Sequence, residues 1–155
     1  MPATGTDRPA RLPPMADPTA LAVYGTLRRG GTNASYLDGL PDLGTGRIAG
    51  RLHEMRRSAN RAYPFPALVL GGAGRVVVEL RALPGPEALV ALDVLEAYDP
   101  ADEPGSQYVR RVVAVVEGPV ATAWVYVYNG PADAMGDAIP DGDWLAHVAR
   151  RRVAP

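Results

Sequence analysis

The segment "VATAWVYVY", Val120 to Tyr128, alternates in direction without becoming polar on either side. Successive side chains of a strand point to opposite faces. Val120, Thr122, Trp124, Tyr126 and Tyr128 therefore share one face, and Ala121, Ala123, Val125 and Val127 share the other. Both faces are largely apolar, so both must be covered. Five more apolar runs, "LAVY", "RIAGRLHEM", "ALVL", "RVVVELRAL" and "YVRRVVAVVE", are punctuated by Gly and Pro. Six strands with few helices predict a sheet closed, or nearly closed, on itself. "YVRRVVAVVE" and "VATAWVYVY" are joined through "GP" and form the strongest hairpin candidate.

Two segments read as helices. "PGPEALVALDVLEAY" places Pro86 in a first turn and runs Leu89, Leu92 and Leu95 along its length. "DGDWLAHVARRR" offers Asp141 or Asp143 as a cap and ends in three arginines that complement the helix dipole. A third, shorter helix is expected in "NASYLDGL", and "RRSANRAYPFP" reads as a basic surface loop.

With 155 residues the chain has the length of one domain. Residues 1–19, rich in Pro, Ala, Thr and Asp, have no hydrophobic period and are expected to form a flexible tail before a single domain at 20–155. A formal charge of −1 gives no field to gather nucleic acid or acidic lipid. There is no cysteine, which excludes disulfides, thiol nucleophiles and thiolate metal sites. No apolar run reaches the ~18 residues of a membrane span, and no secretory h-region is present, so a cytoplasmic location is the expectation.

Chemistry must then come from oxygen and nitrogen groups. Gly25 to Thr32, "GTLRRGGT", is close to a phosphate loop but lacks its lysine, and no long βαβ pattern follows. "GTGRIAG" has the wrong spacing for a dinucleotide fingerprint and reads as a strand with bulge glycines. Gly25 instead permits a sharp turn and close approach, so the N–H groups of Gly25, Thr26 and Leu27 can converge on an anion such as a carboxylate. The alternative is that Gly25 merely ends a strand.

Glu96 supplies the second clue. Leu89, Leu92 and Glu96 are spaced i, i+3 and i+7, so the glutamate shares the apolar helix face, with Asp93 nearer its edge. An acid facing an apolar interior has its charged form disfavoured, which suits it to proton exchange near neutral pH. A glutamate bent out to solvent at a frayed helix end is the competing reading. His53 and His147 are too few for a histidine metal cluster, and no serine elbow accompanies them.

"VYGTLRRGGTN", "LDVLEAYDP", "RRVVAVV", "AWVYVY" and "IPDGDW", in this order, resemble the γ-glutamylcyclotransferase-like family, including its γ-glutamylamine cyclotransferase branch, over roughly Leu21 to Arg152. The resemblance implies an α+β fold, a small mixed β-barrel flanked by two or three short helices. It implies that backbone amides of Tyr24, Gly25, Thr26 and Leu27 hold a substrate α-carboxylate and that Glu96 is the acid/base. It further suggests Tyr108 as a substrate-binding hydroxyl. The implied substrate is a small γ-glutamyl amine or peptide, cyclised to 5-oxoproline with release of an amine and without metal or cofactor. Ala97 and Val78 depart from the family, which usually has Gly at both positions. Ala97 adds bulk beside the acid, and Val78 is expected to narrow the cavity or shift a strand. Glu79, beside Val78, is expected to be dispensable for turnover. A non-catalytic barrel binding a small carboxylate and an enzyme acting on another γ-glutamyl substrate remain the alternatives.

Overall fold

Leu21 and Val23 point into one apolar cluster, and Ala20 and Ala22 into another, so the first strand is buried on both sides. The computed structural model describes residues 17–55 and 63–153. Its strands are β1 (Ala20–Val23), β2 (Asp42–Met55), β3 (Phe65–Ala82), β4 (Tyr108–Ala114), β5 (Thr122–Tyr128) and β6 (Met135–Ile139). Two α-helices accompany them, α1 (Val90–Leu95) and α2 (Trp144–Val153).

The strands form one curled half-barrel sheet in the order β4-β5-β1-β3-β2-β6. β1 runs parallel to β5 and antiparallel to β3, which makes the sheet mixed. Its curl brings the β4–β5 turn back to β2, where the Arg47 N–H donates to the Glu117 carbonyl at 2.8 Å and the Val116 N–H donates to the Arg47 carbonyl at 2.9 Å. The expected hairpin is present, with Tyr108 opposite Tyr128 and Ala114 opposite Thr122. β5 also divides as its alternation predicts: Ala123 and Val125 enter one cluster, while Tyr126 enters the other.

The cluster around Ile48, Leu52, Leu68, Val76, Val78 and Leu80 is closed by Trp144 of α2. The second, around Leu21, Leu37, Phe65 and Tyr108, is closed by Leu89 and Leu92. Truncating a fully buried leucine such as Leu80 to Ala costs about 2–5 kcal/mol through lost transfer energy and the residual cavity.

The six strands do not all coincide with the six expected. "ALVL" and "RVVVELRAL" are halves of the single strand β3, joined across a bulge where the register passes from Ala49–Arg75 to Gly50–Leu70. Gly71 and Gly72, at φ 90° and 81°, allow the excursion. Phe65 and Pro66 lie in β3 and not in a loop. β6, in a segment where the sequence predicts no element, pairs with β2 at the sheet edge. The first expected helix divides into a 3-10 turn at Pro86–Leu89 and the short α1, and "NASYLDGL" yields only a 3-10 turn at Ala34–Leu37. Asp143 caps α2, accepting from the Ala146 N–H at 3.2 Å. Residues 1–16, most of the expected tail, and 56–62, in the expected basic loop, lie outside the described residues.

Candidate functional site

β1 delivers the chain into a turn at the rim of the second cluster. The Arg28 N–H donates to the Gly25 carbonyl at 3.0 Å, closing a turn with Thr26 and Leu27 at its centre. Gly25, Thr26 and Leu27 are buried, yet among the described residues no acceptor receives a hydrogen bond from their N–H groups. Three buried amides are thus held in one tight turn. The Asn33 N–H donates to the Thr26 carbonyl at 2.8 Å, and Asn33 Nδ2 donates to Thr26 Oγ1 at 3.0 Å and to the Tyr63 hydroxyl at 2.9 Å. Asn33 therefore fixes both ends of Thr26.

Gly25 is required by close approach. Its φ lies outside the left-handed region, but a Cβ there would lie 2.5 Å from Pro66 Cγ and 2.9 Å from Cδ. A proline ring in a strand cannot swing away as a flexible side chain would.

Glu96 comes from the opposite wall. α1 ends in a Schellman motif: the Ala97 N–H donates to the Val94 carbonyl at 3.1 Å and the Tyr98 N–H to the Asp93 carbonyl at 2.9 Å. Ala97 takes the left-handed position, at φ 53°, where glycine is usual. The motif stops the helix immediately after Glu96, whose own N–H still donates to the Leu92 carbonyl at 2.9 Å. Leu89, Leu92 and Glu96 are 3%, 1% and 8% exposed, as the spacing requires, and the glutamate is not bent out to solvent.

Turn and glutamate meet at a cavity of about 30 Å³, lined by Tyr24, Gly25, Thr26, Leu27, Phe65, Pro66, Glu96, Tyr108 and Tyr126 among others. By that measure it has room for a carboxylate-sized group. All six residues singled out in the sequence line it. Val78 does not; it is fully buried in the other cluster, so its expected narrowing of this cavity is not seen.

Two hydroxyls are committed to the frame. Tyr108 donates to the Pro66 carbonyl at 2.7 Å, and Tyr24 donates to the Tyr126 carbonyl at 2.6 Å. Tyr126, unread in the sequence as a site residue, donates to Asp93 at 2.6 Å. Burial first, then this hydrogen bond, push its phenol well above the ordinary range, and the Glu96 charge adds to the rise. Asp93 also receives Arg110 Nε at 3.1 Å and Nη2 at 3.2 Å. The Arg110 guanidinium is itself 4.7 Å from the Trp124 ring centroid and 5.4 Å from that of Tyr98.

Neither arginine of the loop is placed for a phosphate. Arg28 is buried, with Nε on Glu79 at 2.9 Å and Nη1 on Asp143 at 2.8 Å. The exposed Arg29 pairs with Asp42. Glu79, read from the sequence as a bystander, holds Arg28 and also accepts from the Arg29 N–H at 2.8 Å. His53 bonds the Gly136 carbonyl and His147 bonds Glu54. Among the described residues no group of three or more His, Cys, Asp or Glu side chains is arranged to hold a metal, and no helix is long and apolar enough to cross a membrane.

Residues 21–146 match the family described as "Gamma-glutamyl cyclotransferase, AIG2-like". No curated protein matches the sequence. The fold is similar to that of an uncharacterized protein, PH0828, from Pyrococcus horikoshii, at 22% identity and TM-score 0.63, over 89% of this chain and 100% of that one. The protein ytfP from Escherichia coli is similar at 28% identity and TM-score 0.56, over 83% and 98%. An AIG2-like protein from Mus musculus is similar at 23% identity and TM-score 0.55, over 77% and 83%.

Proposed function

Because the chain belongs to the gamma-glutamyl cyclotransferase, AIG2-like family, we propose that it cyclises the γ-glutamyl group of a small γ-glutamyl amine or peptide, releasing 5-oxoproline and a free amine. One observation carries this reading: buried amides at Gly25, Thr26 and Leu27, with no acceptor among the described residues, share a small cavity with the buried carboxyl of Glu96. A buried N–H without a partner costs about 1–3 kcal/mol, and a bound carboxylate removes that cost.

The turn amides hold the substrate's α-carboxylate, which leaves the α-nitrogen and the γ-carbonyl to be folded against each other. Holding them in attack geometry supplies much of the acceleration. The α-nitrogen attacks the γ-carbonyl carbon, the new N–C bond closes the five-membered ring, and the bond to the leaving nitrogen breaks. Going from ammonium to lactam N–H, the α-nitrogen gives up two protons. The leaving nitrogen gains two in going from amide to ammonium. Glu96 carries them one at a time, as base and then as acid. Tyr24, Phe65 and Tyr108 wall the cavity, and the Tyr108 bond to Pro66 holds the β3 wall that faces Gly25. The reaction calls for neither metal nor cofactor.

A panel of γ-glutamyl amines, γ-glutamyl dipeptides and glutathione, assayed for 5-oxoproline, tests the reading. Release from at least one class supports it and identifies the leaving group. Binding of 5-oxoproline or glutamate with no release from any member would make the protein a non-catalytic carboxylate binder.

A further inference from the structure

We propose that Arg28 is the positioning residue of the site: resting on the cyclotransferase reading above, its clamp onto Glu79 and Asp143 sets the carboxylate-binding geometry of the Gly25–Leu27 amides. Arg28 follows the cradle directly and closes its turn through its own N–H. Its side chain is 9% exposed, and each arm ends on a different element. Glu79 lies on β3 opposite Val23, in the register that carries β1 into the turn. Its second oxygen takes the Arg29 N–H, so one carboxylate holds both the side chain and the backbone of the loop. Asp143 joins the loop to α2 while also capping that helix. The turn is thereby tied to the sheet and to a helix by one guanidinium.

A fork is what this task needs. Arginine offers fixed, divergent donors, whereas lysine offers a compact charge that cannot hold the same two partners in the same plane. The charge has a second effect. Without Arg28, Glu79 and Asp143 would be two partly buried carboxylates beside a site that takes a third. The clamp balances one of these two negative charges while hydrogen-bonding both, which weakens their repulsion of an anion at the turn.

The same interaction with the α-carboxylate is made before and during the reaction. Losing it therefore raises KM more than it lowers kcat. A residue that merely stabilises the fold does the opposite when removed: the folded fraction falls, and KM for what remains is unchanged. Arg28→Met, Arg28→Lys and the double variant Arg28→Met with Glu79→Gln test this. The double variant removes the carboxylate that the single change leaves unpaired, so it keeps the test valid should Arg28→Met fold poorly.

Three readouts are needed on the full chain: kcat and KM on a γ-glutamyl substrate that the wild type turns over, the Kd for 5-oxoproline, and amide hydrogen exchange at Thr26 and Leu27. The expected result is a rise of about tenfold or more in KM and Kd for Arg28→Met and the double variant, an intermediate rise for Arg28→Lys, and faster exchange at both amides. Unchanged exchange overturns the clamp whatever the ligand proves to be. Faster exchange with wild-type KM and Kd overturns its link to the site. A wild type that neither binds 5-oxoproline nor turns over the panel removes the cyclotransferase reading itself, and with it the functional half of this proposal.

Discussion

Tyr126 donates its hydroxyl to Asp93 at 2.6 Å, and the same carboxylate receives both bonds of the Arg110 fork. The phenol is therefore held protonated beside Glu96. Its folded pKa is raised above the ordinary tyrosine value of about 10, first by burial and then by the Asp93 bond. The stabilisation is complete below pH ~10 and is lost as pH climbs above it, because the unfolded tyrosine ionises while the folded one resists. Tyr98 and Tyr128 shift in the same direction. Tyr126→Phe should lower stability at pH 7 by about 1–2 kcal/mol and flatten its decline between pH 10 and 11. Urea unfolding at pH 7 to 11 measures both; an alkaline decline equally steep in both proteins would place its cause elsewhere.

Glu96→Gln should keep the fold and ligand binding while reducing 5-oxoproline release by about 10²–10⁴-fold, since the amide matches the carboxyl in size but cannot carry a proton. Thermal unfolding and turnover of the same preparation separate the two effects. Near-normal release by the Gln variant would remove Glu96 from the mechanism.

Gly25→Ala should abolish 5-oxoproline binding because the new methyl meets the Pro66 ring at 2.5 Å. Pro66→Ala removes Cγ and Cδ and leaves Cβ, 4.0 Å away, so the double variant should recover most of the binding. The carbonyl that Tyr108 uses survives this change. Calorimetric titration of the four proteins decides the matter, and no recovery in the double variant would show that close approach is not the reason for the glycine.

Ala97→Gly should stabilise the protein. Ala97 holds the left-handed position of a Schellman motif at φ 53°, a conformation that a Cβ disfavours. Relief of that strain, less the extra freedom that glycine gives the unfolded chain, leaves a gain of about 0.5–1 kcal/mol, or roughly 1–4 °C in Tm for a chain of this length. Differential scanning calorimetry would reveal an equal or lower Tm if the strain is absorbed elsewhere.

Glu96 was legible because helical spacing is local: three positions on one short segment decide which way it faces. Gly25 reads from the sequence as a place where the backbone nears a ligand, whereas the close approach in the structure is to Pro66, which β3 brings in from a distant part of the chain. Arg28 could not be read at all. Beside Arg29 it has the look of a solvated loop charge, and its burial depends on Glu79 and Asp143, 51 and 115 residues away. β6 is not legible in the sequence because "MGDAI" is exposed through its middle and pairs only at an edge, so it carries no alternating apolar signal. β3 reads as two strands because glycines in a bulge carry the same residue signature as glycines in a loop.

The order in which the strands are made differs from the order in which they lie. β1 is the first to leave the ribosome, yet it sits inside the sheet between β3 and β5. β2 and β3 can pair as chain neighbours and then offer β1 one edge. Its other edge stays open until β5 is synthesised, and the bond from Tyr24 to Tyr126 spans 102 residues. Such long closures form late, after local pairing has reduced the entropy of the chain between them. The turn that follows β1 therefore acquires its walls only when nearly the whole domain is present. A nascent or truncated chain ending before β5 carries the Gly25–Leu27 turn sequence but lacks Tyr126 and so a complete cavity, which makes the pocket a product of the finished fold.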